Sequence, residues 1–175
     1  MQKNTKSNFA FIDSQNLNLG TKSAGWSLDF RKFRLYLKNK YGVGKAYLFI
    51  GQMAGQESLY DRLQNMGYHL IFKPTTEYKV NGKTMVKGNV DAELVLYAAA
   101  KVFTKYDKAI IVSGDGDFHC LVEYLLEKDK LLKLLTPNKH YSSLLRRFND
   151  NIVRIDLLKV SLELKKTKIR GRSKP

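Results

Sequence analysis

The stretch Lys108-Ala-Ile-Ile-Val-Ser-Gly-Asp-Gly-Asp-Phe118 decides how this chain is read. Its first half is a short apolar run rich in β-branched residues, the pattern of a buried strand, and its second half is a glycine-spaced pair of carboxylates, Asp115 and Asp117. A second run of the same kind, Asn8-Phe-Ala-Phe-Ile-Asp13, lies near the start of the chain. Two buried strands thus each deliver an acid at their C-terminal ends. In an open parallel sheet, ligands bind beyond those ends where the strand order reverses, so Asp13 and Asp115 converge if their strands are neighbours.

Strand-like segments recur near 8–13, 45–50, 68–73, 108–113, 131–135 and 151–155, with amphipathic stretches near 27–40, 56–66, 90–104, 118–128 and 141–148 between them. Ser27 is placed to cap the first of these helices, Gly67 to close the second and Asn89 to cap the third. This βαβα order implies an α/β fold with a mostly parallel central sheet and helices on both faces. One segment breaks the rhythm. Between Phe72 and Lys87 an Asn81-Gly82 turn signal is flanked by strand-like residues and reads as a β-hairpin or ordered loop. It holds Lys73, Lys79, Lys83 and Lys87 with only Glu77 opposed. These lysines make either a basic flap for an anionic substrate or an ordinary solvated hairpin.

At 175 residues and 43% hydrophobic, the chain suits one domain, taken as residues 1–160, followed by a basic tail, 161–175, expected to be disordered. No run of apolar residues is long enough for a membrane span, and the polar start Met1-Gln-Lys-Asn-Thr-Lys-Ser7 lacks the apolar core of a secretory signal, so a cytoplasmic protein is expected. The single cysteine, Cys120, excludes an internal disulfide and is expected to be an inert thiol turned toward the core. Lys and Arg outnumber Asp and Glu by 31 to 16, a net charge of +15. Six of the basic residues, among them Lys165, Lys166, Lys168, Arg170 and Arg172, lie in the stretch 165–175 of the tail, which holds no acid. The rest of the chain is still strongly basic. Such a surface gathers polyanions by counterion release, and RNA or DNA is the commonest cytoplasmic polyanion. The plainer reading is a solubility surface; anionic lipid is a poorer fit, because the tail has no strongly amphipathic face.

Each acid also has a structural explanation. Asp91 would favour the positive end of a helix, Asp117 could cap the helix starting at Phe118, and Asp13 and Asp115 could shape turns. Four such carboxylates at one sheet edge, however, repel one another unless a cation offsets them, and all-oxygen donors suit Mg²⁺ or Mn²⁺. His69, His119 and His140 have no paired metal-ligand spacing, and Ser14 and Ser113 have no histidine nearby in sequence to act as base.

Three blocks, Phe11-Ile-Asp-Ser-Gln-Asn-Leu17, Lys87-Gly-Asn-Val-Asp-Ala-Glu-Leu-Val-Leu96 and Ile111-Val-Ser-Gly-Asp-Gly-Asp-Phe118, together resemble the NYN domain in its LabA-like branch, a relative of the PIN-domain nucleases. The resemblance implies a three-layer α/β/α PIN-like (Rossmann-like) fold. It also implies a divalent-metal ribonuclease site made from Asp13, Asp91, Asp115 and Asp117, with Asn16 matching the asparagine of the first block. The chain departs from the pattern at Gln15 and Tyr97, where many members carry acids. The leading expectation is a Mg²⁺- or Mn²⁺-dependent ribonuclease in which Asp13 and Asp115 hold the metal, Asp91 and Asp117 complete its surroundings, and the lysines and arginines of flap and tail contact RNA. Its rival is a non-catalytic RNA-binding module with a degenerate metal site. A phosphatase with an aspartyl nucleophile ranks lower, because Asp13-Ser-Gln15 lacks the second acid. No membrane partner is expected, and a homodimer is compatible with the sequence.

Overall fold

The strands are β1 (Asn8–Asp13), β2 (Val43–Gly51), β3 (Tyr68–Lys73), β4 (Thr76–Val80), β5 (Lys83–Lys87), β6 (Ala109–Val112), β7 (Leu131–Thr136) and β8 (Ile152–Arg154). The helices are α1 (Ser14–Ser23), α2 (Phe30–Tyr41), α3 (Glu57–Asn65), α4 (Val90–Leu96), α5 (His119–Glu127) and α6 (Lys159–Leu162). The computed structural model of the protein describes residues 6–73, 76–80, 83–87 and 90–165. Six strands form one parallel sheet in the order β3-β2-β1-β6-β7-β8, and β4 and β5 pair antiparallel as a separate hairpin. The chain leaves β1 toward β2 and leaves β6 toward β7, so the order reverses between β1 and β6.

Period-two alternation sorts the sheet residues between two cores. Phe9, Phe11, Phe49, Ile111 and Leu134 face α4 and α5, packing on Leu94, Ala98, Leu121, Val122 and Leu125. Ala10, Ile12, Leu48, Val112 and Leu135 face the other way onto Leu17, Phe33, Leu37 and Leu63 of α1, α2 and α3. Both faces are buried, which is why the central strands read as continuous apolar runs. Each fully buried Ile, Leu or Phe contributes about 1.5–3 kcal/mol through the water it sheds. The result is the α/β/α fold expected from the sequence.

The differences from that reading are local. α1 was not anticipated. Its sequence, SQNLNLGTKS, is poor in helix formers, and it forms because the Asp13 carboxylate caps it and Leu17 and Thr21 are buried beneath it. The first anticipated helix, α2, is capped by Asp29, whose Oδ1 accepts from the Arg31 and Lys32 N–H groups, and not by Ser27. Gly67, at φ 90°, closes α3 as expected. Asn89 lies outside the described residues. The helix expected over 90–104 is α-helical only to Leu96; Tyr97–Lys101 is a π turn and Phe103–Lys105 a 3₁₀ turn. Ser143–Asn151 is 3₁₀, bent at Phe148, where an α-helix was expected near 141–148. The packed structure also runs past residue 160. Leu162 is buried, the Leu162 carbonyl accepts from the Asp29 N–H, and Glu163 bridges to Leu28.

Candidate active site

Asp13 ends β1 with its side chain only 5% exposed. Its Oδ1 accepts from the Asn16 N–H at 3.0 Å and its Oδ2 accepts from the Ser113 hydroxyl at 3.2 Å. Ser113 Oγ in turn accepts from the Asp115 N–H at 3.1 Å, and Asp115 Oδ1 accepts from the Asp117 N–H at 3.0 Å. Asn16 Oδ1 accepts from the Gly114 N–H at 2.8 Å. A run of hydrogen bonds therefore ties the ends of β1 and β6 together at the point where the strand order reverses. Asp115, not Asp117, caps the turn leading into α5.

The glycines of Gly114-Asp-Gly116 have a packing reason. A Cβ on Gly116 would fall 2.3 Å from Ser142 Oγ, and one on Gly114 would press on Tyr141 Cβ at 3.2 Å. Without those atoms the segment after β7 closes on the acidic loop, and the Ser142 N–H donates to the Gly114 carbonyl at 2.9 Å.

Asp91, half-buried, stands in the first turn of α4. It shares with Asp13 and Asp115 one open cleft of about 540 Å³, whose walls include Gln15, Asn16 and His140. Asp117 is exposed and joins Asp91 on the rim of a neighbouring, more apolar hollow formed by Val95, Leu96 and Ala99. The carboxyls report their crowding. Burial raises the Asp13 pKa above the ordinary aspartate value, and the charges of Asp91 and Asp115 add to the rise against the Asn16 and Ser113 hydrogen bonds. Asp91 is raised in the same way, by burial first and then by Asp115 and Asp117, with Lys73 opposing.

Lys73 was grouped with the flap lysines, yet it ends β3 as a buried residue. Burial lowers its pKa, while the charges of Asp91, Glu93 and Asp13 pull it back up. The side chains of Lys79, Lys83 and Lys87, and all of Lys166, Lys168, Arg170 and Arg172, lie outside the described residues; Lys165 is exposed at their edge.

Asn138, His140 and Tyr141 line the cleft and were missed in the sequence. Their signal was the end of β7, which reaches the same sheet edge and is followed at once by the turn pair Pro137-Asn138. Tyr97, half-buried, packs against the rings of Tyr47 and Phe49 under the Lys101 ammonium, at the edge of the core and outside the lining of the cleft. Cys120 is exposed, contrary to expectation, because α5 turns Leu121, Val122 and Leu125 inward and leaves position 120 on its outer side.

The NYN domain family matches residues 9–156, most of the chain. The protein belongs to the NYN domain family. NYN domains form part of the PIN-like nuclease superfamily, whose members generally use divalent metals. The chain is 28% identical over 160 residues to Low amplitude and bright protein LabA of Synechococcus elongatus, a span covering 87% of this chain and 86% of that one. A protein of unknown function from Vibrio parahaemolyticus shares the fold with a TM-score of 0.73 at 26% identity, covering 94% of this chain and all of the other. Among the described residues, no helix of this NYN protein is long and apolar enough to cross a membrane.

For a divalent cation, the fit rests on the donors. Three carboxylates in one cleft offer only hard oxygen ligands, and the raised Asp13 and Asp91 carboxyls carry the repulsion that a cation relieves. Among the described residues, no three acidic, imidazole or thiol groups lie close enough together to hold a metal ion by themselves.

Proposed function

We propose that this NYN domain is a Mg²⁺- or Mn²⁺-dependent ribonuclease that hydrolyses phosphodiester bonds at Asp13, Asp91, Asp115 and Asp117. The observation that supports this most is the meeting of Asp13, Asp91 and Asp115 in one cleft at the sheet's switch point, with two of the carboxyls raised by burial and mutual repulsion. When bound, the cation supplies Lewis acidity toward a phosphate oxygen and makes water a better nucleophile. Asp13 and Asp115 are the residues to hold it. The Ser113 hydroxyl and the Asn16 N–H hold the Asp13 carboxylate, while Ser113 Oγ and Asn16 Oδ1 accept the backbone N–H groups of Asp115 and Gly114 and so fix the loop that carries Asp115, as residues behind a metal ligand commonly do. Asp91, on a separate helix at the same cleft, would orient a water or take its proton. The basic excess of the chain draws the RNA backbone to a site that is itself acidic.

The packing of Tyr97 favours a second reading. Where many NYN domains carry an acid, this chain spends the position on an aromatic cluster, as a non-catalytic RNA-binding module would. Incubation of purified protein with labelled single-stranded and structured RNA, in Mn²⁺, Mg²⁺ or EDTA, separates the two. Divalent-dependent cleavage is expected; tight binding without cleavage would favour the binding module.

A further inference from the structure

The Lys73 ammonium is a buried cation that the proposed hydrolysis does not use. The residue is 2% exposed, and among the described residues Nζ has no hydrogen-bond partner and no carboxylate within 4.0 Å, so any acid that offsets it acts at longer range. An ammonium in that condition is costly unless charge of the opposite sign faces it. Strand alternation says what it faces. Ile71, two residues earlier on β3, packs against the core on the α4 side of the sheet, so Lys73 projects onto that side too, at the strand end that carries the acidic site. Asp13 has the same parity on β1 as Phe9 and Phe11, and Asp91 and Glu93 stand on α4 itself. These three are the carboxylates whose charges act on Lys73. Glu93 also pairs with Lys101 at 3.4 Å, whereas Asp91, the acid that acts most strongly on Lys73, and Asp13 line the cleft.

We propose that Lys73 is a built-in counter-cation of the acidic cluster, a positioning residue that holds Asp91 and Asp13 in place before any metal arrives and competes with the metal for them. The idea rests on the reading of the cluster as a cation site only in its second half; the first half concerns the metal-free protein. A fixed positive charge beside the carboxylates stabilises the empty cleft and weakens free divalent binding. Metal then loads best together with the extra negative charge of an RNA phosphate.

The test uses the full chain and two measurements. In EDTA, urea unfolding of wild type, Lys73→Met, Asp91→Asn and the double variant forms a thermodynamic cycle. Asp91→Asn should stabilise the Lys73→Met background, where it removes only repulsion, by a several-fold larger change in the folding equilibrium than in wild type, where it also removes the partner of Lys73. Equal effects in both backgrounds would overturn the proposal. In calorimetry with Mn²⁺ alone, Lys73→Met should bind the ion about tenfold more tightly than wild type, the size of effect expected from deleting one nearby like charge. Unchanged or weaker binding would overturn the competition. If Mn²⁺ binds neither chain, the cation reading of the cluster falls, and the metal-free cycle alone decides the role of Lys73. Lys73→Gln carries the same comparisons should the methionine variant fail to fold.

Discussion

Asn16 Oδ1 accepts the Gly114 N–H at 2.8 Å, so one side chain in the first turn of α1 holds the loop that leaves β6, 98 residues further along the chain. The same residue's own N–H donates to Asp13. Asn16 thereby sets the distance between the two strand ends that carry the site.

Replacing Asn16 with Ala should leave the partly buried Gly114 N–H unpaired and cost about 1–3 kcal/mol of stability. Asn16→Asp keeps an acceptor and should recover most of the loss in the presence of Mn²⁺. Urea denaturation of the three proteins checks this; equal midpoints would mean that the bond does not organise the loop.

Asp13 holds its proton to higher pH in the folded chain than in the unfolded one, because burial raises its pKa. Across the window between the ordinary carboxylate range, near pH 4, and the raised folded value, the folded state binds more protons. Stability of the metal-free protein should therefore fall as pH rises through that window and stay lower above it. Asp13→Asn can still cap α1 through Oδ1, with Nδ2 donating to Ser113 Oγ in place of the bond that the carboxylate accepted, and it should flatten that fall. Thermal melts in EDTA across this range measure it, and an identical profile for the variant would place the pH dependence elsewhere.

Gly20 lies where α1 meets the loop after β7. A Cβ there would fall 2.4 Å from Pro137 Cβ, and the Gly20 carbonyl accepts from Asn138 Nδ2 at 2.7 Å. Gly20→Ala should push that loop outward, at a cost of about 1–3 kcal/mol, and open the cleft wall that includes His140. Lowered unfolding midpoints with weaker RNA binding are expected; a variant as stable as wild type would show that the contact relaxes freely.

The sheet and most of the acids were legible in the sequence for one reason. A strand buried on both faces leaves a continuous apolar run, and Asp13 and Asp115 mark where two such runs stop. What stayed hidden depended on contacts distant in sequence. α1 owes its helix to a cap and to burial of Leu17 and Thr21, while its composition reads as a turn. Lys73 continues the alternation of β3 past its apolar residues into the interior, a place that a lysine's own chemistry argues against. Cys120 shows the opposite case: the apolar run of α5 gave no phase, and only packing decided which residues turn inward.

If the tail contacts RNA, each basic residue that meets a phosphate releases a counterion. Ending the chain at Leu164 removes six basic residues. It should weaken RNA binding and flatten its dependence on salt, while the rate at saturating RNA stays the same. Binding titrations at several salt concentrations check this, and an unchanged slope would mean that the tail stays in solvent.

The most direct test compares wild type with the Asp115→Asn, Asp117→Asn double variant on labelled RNA, using protein freed of host ribonuclease. Asparagine at 115 can still accept the backbone bond that shapes the loop, so the variant should fold and bind RNA as wild type does. Wild type should cleave only with Mn²⁺ or Mg²⁺ and leave 5′-phosphate ends, and the variant should not cleave. Equal cleavage by both proteins, or cleavage by wild type that persists in EDTA, would contradict a metal-dependent ribonuclease built on this acidic site.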